Sequence, residues 1–157
     1  MKRLATLVYC SNCVLSVYEL VGIRIVLVED HADTRESTSR ILEMYGAQVT
    51  TGANGQEGLA AIRILRPDVV VADLAMPEMD GYTLIRQVRA LGPDSGGAVP
   101  MIALSAHAGP EERARTQAAG FALHLAKPTK PANLVQAILN VVNLGGAPQR
   151  SGSRPSA

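Results

Sequence analysis

The sequence predicts one α/β domain, a doubly wound sheet of five parallel strands with helices on both faces. Three observations carry this. Short apolar, β-branched runs alternate five times with stretches of helical period between Ile23 and Asn143. Gly and Pro fall at the breaks between them. Four of the five runs end on an acid, a serine or a lysine. Strict alternation of this kind implies parallel strands joined by right-handed crossovers.

The first strand is Ile23–Val28, which stops at Glu29-Asp30. A helix follows over about Asp33 to Tyr45, with Ile41, Leu42 and Tyr45 as its apolar stripe and Gly46 as its stop. Ala47 to Thr51 is a more polar run, as expected of an edge strand. Asn54 is placed to cap the second helix, which presents Leu59, Ile62 and Leu65 and ends before Pro67. Val69-Val70-Val71-Ala72 is the most hydrophobic run, hence a central strand, and it ends at Asp73. The third helix spans about Asp80 to Leu91, with Leu84, Ile85 and Val88 facing inward. After the loop Gly92–Gly97, a fourth strand covers Val99 to Leu104 and stops at Ser105. Pro110 opens a fourth helix that Gly120 closes, Phe121 to Ala126 forms a fifth strand, and Pro131 opens the last helix. The domain is therefore placed at 23–143, followed by a polar tail at 144–157 whose composition predicts disorder.

Of 157 residues, 47% are hydrophobic and 18% charged, which fits one globular domain. Aromatic residues are only 3%, so the core must be built from Val, Leu, Ile and Ala. Fifteen basic and fourteen acidic residues leave a charge of +1, so no basic surplus exists to drive direct nucleic-acid binding. Residues 1–22 begin like a signal peptide, but Ser11-Asn12 interrupt the apolar stretch, Glu19 lies near its end and no A-x-A-like site appears. The same breaks argue against membrane insertion and favour a cytoplasmic protein. Val14, Val17, Tyr18 and Val21 recur at helical spacing; a short amphipathic helix and an upstream-extended start without function both remain open. Cys10 and Cys13 form a lone C-x-x-C without the further ligands of a zinc site or the strand-to-helix setting of a redox pair, and no role is assigned to them.

In a doubly wound sheet, ligands bind at the carboxyl ends of the strands. Glu29, Asp30, Asp73, Ser105 and Lys127 would therefore converge on one rim. Any one of them reads equally well as a helix cap or a solvated charge; the whole set does not. Carboxylates gathered at one point repel unless a cation sits among them, and Mg²⁺ suits such oxygens while keeping room for a phosphate. Lys127 offers a point charge and Ser105 a hydroxyl for phosphoryl oxygens. A carboxylate can itself be the nucleophile and form an acyl phosphate.

At these residues the chain resembles the receiver domain of two-component response regulators, the chemotaxis response regulators among them. The matching pieces are Val28-Glu29-Asp30, the block from Asp73 through Met76-Pro77 to Met79-Asp80-Gly81, Leu104-Ser105-Ala106 and Ala126-Lys127-Pro128. The resemblance implies a flavodoxin-like sheet of order 2-1-3-4-5. It implies Asp73 as phosphoacceptor, with Mg²⁺ held by Glu29, Asp30, Asp73 and the backbone carbonyl of Ala75. Ser105 and Lys127 would bind the phosphoryl group, and the Lys127-Pro128 bond would be cis. The phosphoryl donor would be a histidine kinase or a histidine phosphotransfer protein.

His124 stands where the family often carries an aromatic residue that swings inward on activation; a switching role and a merely tolerated histidine are both open. His107 and Ala75 occupy positions that modulate aspartyl-phosphate lifetime in the family. His31, His107 and His124 lack ligand spacing, which argues against a histidine metal site. A haloacid-dehalogenase-like phosphatase uses similar groups, but expects D-x-D-x-[TV] after its first strand, whereas Asp73 follows the third and Ala75 takes the general-acid place. Gly52 to Gly58 is G-x-x-G-x-x-G rather than a dinucleotide fingerprint, and no P-loop or G-x-S-x-G elbow is present. The short tail after the last helix leads to the expectation of a stand-alone receiver or relay intermediate acting on a downstream protein that the sequence does not identify. The stretch from Ser105 to Pro128 is similar to receivers of hybrid histidine kinases, which makes such an origin the close alternative.

Overall fold

The computed structural model describes residues 19–107 and 109–144, so Cys10, Cys13, most of the amino-terminal extension and the tail beyond 144 lie outside the described residues. Five strands alternate with five α-helices: β1 (Arg24–Val28), α1 (Ala32–Met44), β2 (Gln48–Gly52), α2 (Gly55–Leu65), β3 (Val69–Asp73), α3 (Gly81–Arg89), β4 (Met101–Ser105), α4 (Pro110–Ala119), β5 (Leu123–Ala126) and α5 (Pro131–Leu144). All neighbouring strands are parallel, in the order β2-β1-β3-β4-β5. The expected sheet is thus the observed one, with the polar run at an edge and Val69-Val70-Val71 at its centre.

Side chains alternate across each strand, and the two faces bury separate clusters. Val26, Val28, Val70, Ala72, Met101 and Ala103 pack with Ile62 of α2 and Leu84, Ile85 and Val88 of α3. Ile25, Leu27, Val69, Val71, Ile102 and Leu104 pack with Leu42 of α1 and Leu134, Val135 and Ile138 of α5. The second cluster includes Leu20, which is fully buried and whose N–H bonds to the carbonyl of Tyr45 at 2.9 Å. The last part of the extension therefore completes the core.

Several helix ends follow from single side chains. Asn54 Oδ1 accepts from the Glu57 N–H at 2.9 Å, and Glu57 Oε2 reaches back to the Ala53 N–H at 2.7 Å. Asp80 Oδ1 accepts from the Thr83 N–H at 2.7 Å and caps α3. At the far end of α2, Arg24 donates from Nη1 to the Leu65 carbonyl at 2.8 Å and from Nη2 to the Arg66 carbonyl at 2.9 Å. Those carbonyls have no partner inside the helix.

Four strand starts differ from the sequence expectation, β2 by the single residue from Ala47 to Gln48. Val99 bonds back to the carbonyl of Gly96 and Pro100 has no N–H, so β4 begins at Met101. Phe121 is drawn into the α3 side of the core and is tied to the carbonyl of Thr116, so β5 begins at Leu123. Ile23 closes a turn onto Leu20, so β1 begins at Arg24. The Gly92–Gly97 loop contains a 3₁₀ turn at Pro93–Ser95.

α4 is held differently from its neighbours, because Thr116 is its one buried residue. Tyr82 of α3 donates from its hydroxyl to Glu112 Oε1 at 2.6 Å, the Arg115 guanidinium lies 4.7 Å from the Tyr82 ring centre, and Phe121 meets that ring edge-on at 6.3 Å. Burial, then the hydrogen bond to Glu112, pushes the Tyr82 phenol from 10.0 up to about 12. The folded chain holds that proton more tightly than the unfolded chain. The stabilisation is therefore complete below about pH 10 and is lost as pH rises through about 12. Denaturation midpoints measured across this range should fall more steeply for the wild type than for Tyr82→Phe.

Gly81 opens α3 against the backbone of β3. An added Cβ would lie 2.8 Å from the Asp73 carbonyl oxygen and 3.0 Å from Leu74 Cα, neither of which is a flexible group. Gly81→Ala is expected to cost about 1–3 kcal/mol, read as a lowered urea midpoint.

Candidate functional site

The sheet register brings the predicted residues to one rim. Val28 pairs with Ala72, which puts Glu29 level with Asp73, and the Glu29 N–H bonds to the Gly52 carbonyl at 3.1 Å. Asp73 pairs with Leu104, and the Lys127 N–H bonds to the Ser105 carbonyl at 2.8 Å. β1, β3, β4 and β5 therefore stop together, β3 and β4 on a polar residue and β1 and β5 directly before one.

The centre of the rim is a charged triangle. Lys127 Nζ donates to Asp73 Oδ2 at 2.8 Å and to Glu29 Oε2 at 2.7 Å. Glu29 is 1% exposed and Asp73 3%, so both carboxylates depend on that ammonium. Burial works against the Lys127 charge, yet the hydrogen bonds to Asp73 and Glu29 outweigh it and raise its pKa above the usual lysine value. The other Asp73 oxygen, Oδ1, accepts from the Ala75 N–H at 3.1 Å, which orients the carboxylate. Ala75 itself is exposed and adds no side chain that would screen Asp73. Ser105 is buried, and its Oγ accepts from the His107 N–H at 3.0 Å. The Lys127-Pro128 peptide bond is cis.

Two contacts were not read from the sequence. Arg35, one turn into α1, donates from Nη1 to the carbonyls of Glu29 at 2.9 Å and Asp30 at 3.3 Å, fixing the loop that carries both acids. His31 turns back onto the same acids. Its Nδ1 lies 3.3 Å from Glu29 Oε1 and 3.2 Å from Asp30 Oδ1. The hydrogen bond to Glu29, followed by the charges of Asp30 and Glu29, raises the His31 pKa. Ligand atoms of Glu29, Asp30, His31 and Asp73 all lie within 4.8 Å of one another. The three histidines do not form a cluster among the described residues, but His31 joins a carboxylate cluster. Its place directly after two strand-end acids was the available signal.

His124, half-buried on β5, faces α4. The Thr116 hydroxyl donates to the Arg113 carbonyl at 2.9 Å, so its oxygen is left to accept from His124 Nδ1 at 3.2 Å. Nε2 of His124 is buried without a hydrogen-bond partner among the described residues.

The donor set suits a hard divalent cation. Three carboxylates converge, and Asp30 Oδ1 is buried with only a charge contact to His31 and no hydrogen-bond donor among the described residues. Such an oxygen is satisfied by a metal ion.

A family model, the response regulator receiver domain, matches residues 25–139. The chain belongs to that family. An uncharacterised 14.6 kDa protein of Leptolyngbya boryana is 40% identical over 119 residues, covering 76% of this receiver and 89% of the relative. The transcriptional regulatory protein PrrA of Mycobacterium leprae is 33% identical, over 85% of this chain, which spans 56% of PrrA. Among solved structures, the chemotaxis protein CheY4 of Vibrio cholerae superposes with a TM-score of 0.70 at 30% identity, covering 76% of this chain and 98% of CheY4. The receiver domain of the sensor histidine kinase PA1611 of Pseudomonas aeruginosa, solved with a magnesium ion in its active-site cleft, gives 0.70 at 32%, covering 78% and 99%. The fold of this receiver is therefore CheY-like. No helix among the described residues is long and apolar enough to cross a membrane.

Removing the ammonium leaves Glu29 and Asp73 buried and mutually repelling. Lys127→Ala is expected to lower stability by about 3 kcal/mol in metal-free buffer. Mg²⁺ should restore more stability to the variant than it adds to the wild type. Urea denaturation with and without Mg²⁺ measures both.

Proposed function

We propose that Asp73 accepts a phosphoryl group from a phosphohistidine of a histidine kinase or phosphotransfer protein, with Mg²⁺ held by Glu29, Asp30, Asp73 and the Ala75 carbonyl. The observation that carries this is the Lys127 bridge to Asp73 Oδ2 and Glu29 Oε2 on a rim where Asp73 is otherwise held by one backbone N–H. In the transfer, an Asp73 carboxylate oxygen attacks phosphorus, the phosphorus–nitrogen bond breaks, and the imidazole leaves with its electron pair. Bound Mg²⁺ supplies neutralising charge for the carboxylates and the incoming phosphoryl oxygens. Lys127 already sits on Asp73 and follows the charge from carboxylate to phosphoryl oxygen, while the Ser105 hydroxyl donates to another.

An open groove of about 420 Å³ adjoins Lys127, lined by Thr34, Thr38 and Ile41 of α1 with Pro128, Pro131 and Leu134. It leaves space for a few side chains of the donor protein beside the rim. Phosphorylation would then shift a pre-existing equilibrium of the surface formed by α4, β5 and α5 toward binding a downstream protein, with His124 as its moving part. A cytoplasmic setting belongs to the same reading, since the donor acts there.

A receiver belonging to a hybrid kinase is the second reading. It is favoured by the likeness to the PA1611 receiver and to a histidine-kinase receiver domain from Syntrophus aciditrophicus, 30% identical with a TM-score of 0.70. A phosphatase of the haloacid-dehalogenase type draws no support, because the Asp73 block follows β3 and the family match is to receivers.

Incubation with Mg²⁺ and a small acyl-phosphate donor should add one phosphoryl group by intact-mass measurement. Asp73→Asn, or removal of Mg²⁺ by chelation, should abolish the addition. Equal labelling of the Asn variant would place the acceptor elsewhere.

A further inference from the structure

His31 is the one member of the rim cluster that is not a carboxylate. Its side chain is 73% exposed and provides no helix-capping hydrogen bond to α1, although His31 is the residue at the cap position. Its ring turns toward the acids before it, with Nδ1 3.3 Å from Glu29 Oε1 and 3.2 Å from Asp30 Oδ1. The imidazole thereby belongs to a set of ligand atoms mutually within 4.8 Å, beside Asp30 Oδ1, which has a charge contact to His31 but no hydrogen-bond donor among the described residues. Such a mixed set discriminates among cations. Mg²⁺ takes oxygen ligands and retains waters, whereas an imidazole nitrogen suits first-row transition ions, whose affinity rises from Mn²⁺ through Co²⁺ and Ni²⁺.

We propose that His31 makes this rim a two-class metal site, in which Mg²⁺ is held through oxygen atoms alone while a divalent transition ion such as Co²⁺ also recruits His31 Nδ1. The inference rests on the reading of the rim as the Mg²⁺ site and adds a residue that sets ion preference. Arg35 supports it by holding the Glu29 and Asp30 carbonyls from α1, so the acids keep their places when His31 moves. Under this assignment the receiver responds to the balance of the two ion classes, since the more strongly held ion occupies the position that phosphoryl transfer needs.

The test measures Mg²⁺ and Co²⁺ binding by titration calorimetry to the full chain, to His31→Ala and to His31→Gln. Cys10 and Cys13 are replaced by serine in every protein compared, which removes thiolate competition for Co²⁺. A second readout is the hyperfine-shifted imidazole N–H resonance that a Co²⁺-bound histidine gives in the proton NMR spectrum. Both substitutions should weaken Co²⁺ by about tenfold or more and abolish that resonance, while Mg²⁺ changes by less than about twofold. If His31 is only a charge partner of the acids, its loss will leave the two ions equally affected, and the proposal is overturned. Unchanged Co²⁺ affinity overturns it as well. Failure of Co²⁺ to bind the protein that keeps His31 overturns the proposal too, whereas failure of Mg²⁺ to bind it would remove the reading on which the proposal rests.

Discussion

Two nearly inaccessible carboxylates share one lysine at the end of this sheet, and much of the molecule is arranged so that they can. Glu29 and Asp73 lie on adjacent parallel strands at the same level, where their repulsion would be severe without a cation. Lys127 comes from the opposite edge of the sheet, across β4, and reaches both. This requires β1, β3 and β5 to terminate together. The apolar ladders that set their register pair Val26 with Val70, Ala72 with Ala103 and Leu104 with Leu125. Buried ion pairs of this type contribute little net stability relative to an apolar substitute. Their presence at the one rim where an α/β sheet binds ligands is thus better explained by chemistry than by folding.

The same constraint divides the molecule into a firm part and an adjustable one. α1, α5, α2 and α3 are anchored by continuous apolar packing on either face of the sheet. α4 is fixed by a few polar and aromatic contacts: Glu112 and Arg115 on Tyr82, and Thr116 on His124. Such contacts are directional and can be exchanged singly, whereas close packing must be given up as a unit. Ser105, which the proposed phosphoryl group would engage, ends the strand that leads into α4. A charge change at Asp73 would meet the least apolar of the five helices first.

Much of this was legible in the sequence because it is written in local chemistry. The run Val69-Val70-Val71 declared a central strand, the polar Ala47–Thr51 stretch an edge, and Asn54, Pro110 and Gly120 the limits of helices. The strand starts were less legible, since Val99 and Phe121 are as apolar as their neighbours. Only Pro100 and the burial of Phe121 against α3 decide where pairing begins. In the site, the identities of the rim residues were readable from strand ends. The pairing of Lys127 with Glu29 spans 98 positions and depends on tertiary register, so no local pattern announces it. His31 is illegible from its spacing to the other histidines, because its partners are the two acids directly before it.

His124 illustrates how a departure from a family pattern is accommodated by its neighbours. A histidine at this strand position needs a polar partner if it is to lie inward, because a buried imidazole nitrogen left unbonded costs free energy. Thr116 provides one for Nδ1, and it is the one fully buried residue of its helix. An apolar aromatic ring at position 124 would have no use for that hydroxyl, and Thr116 would retain only its bond to the Arg113 carbonyl. The two residues therefore read as a matched pair, with the threonine holding the histidine against α4. Nε2 remains buried and unbonded among the described residues, so the inward position is only half satisfied. In the proposed switch, the inward position would be given up by exchanging that one hydrogen bond to Thr116.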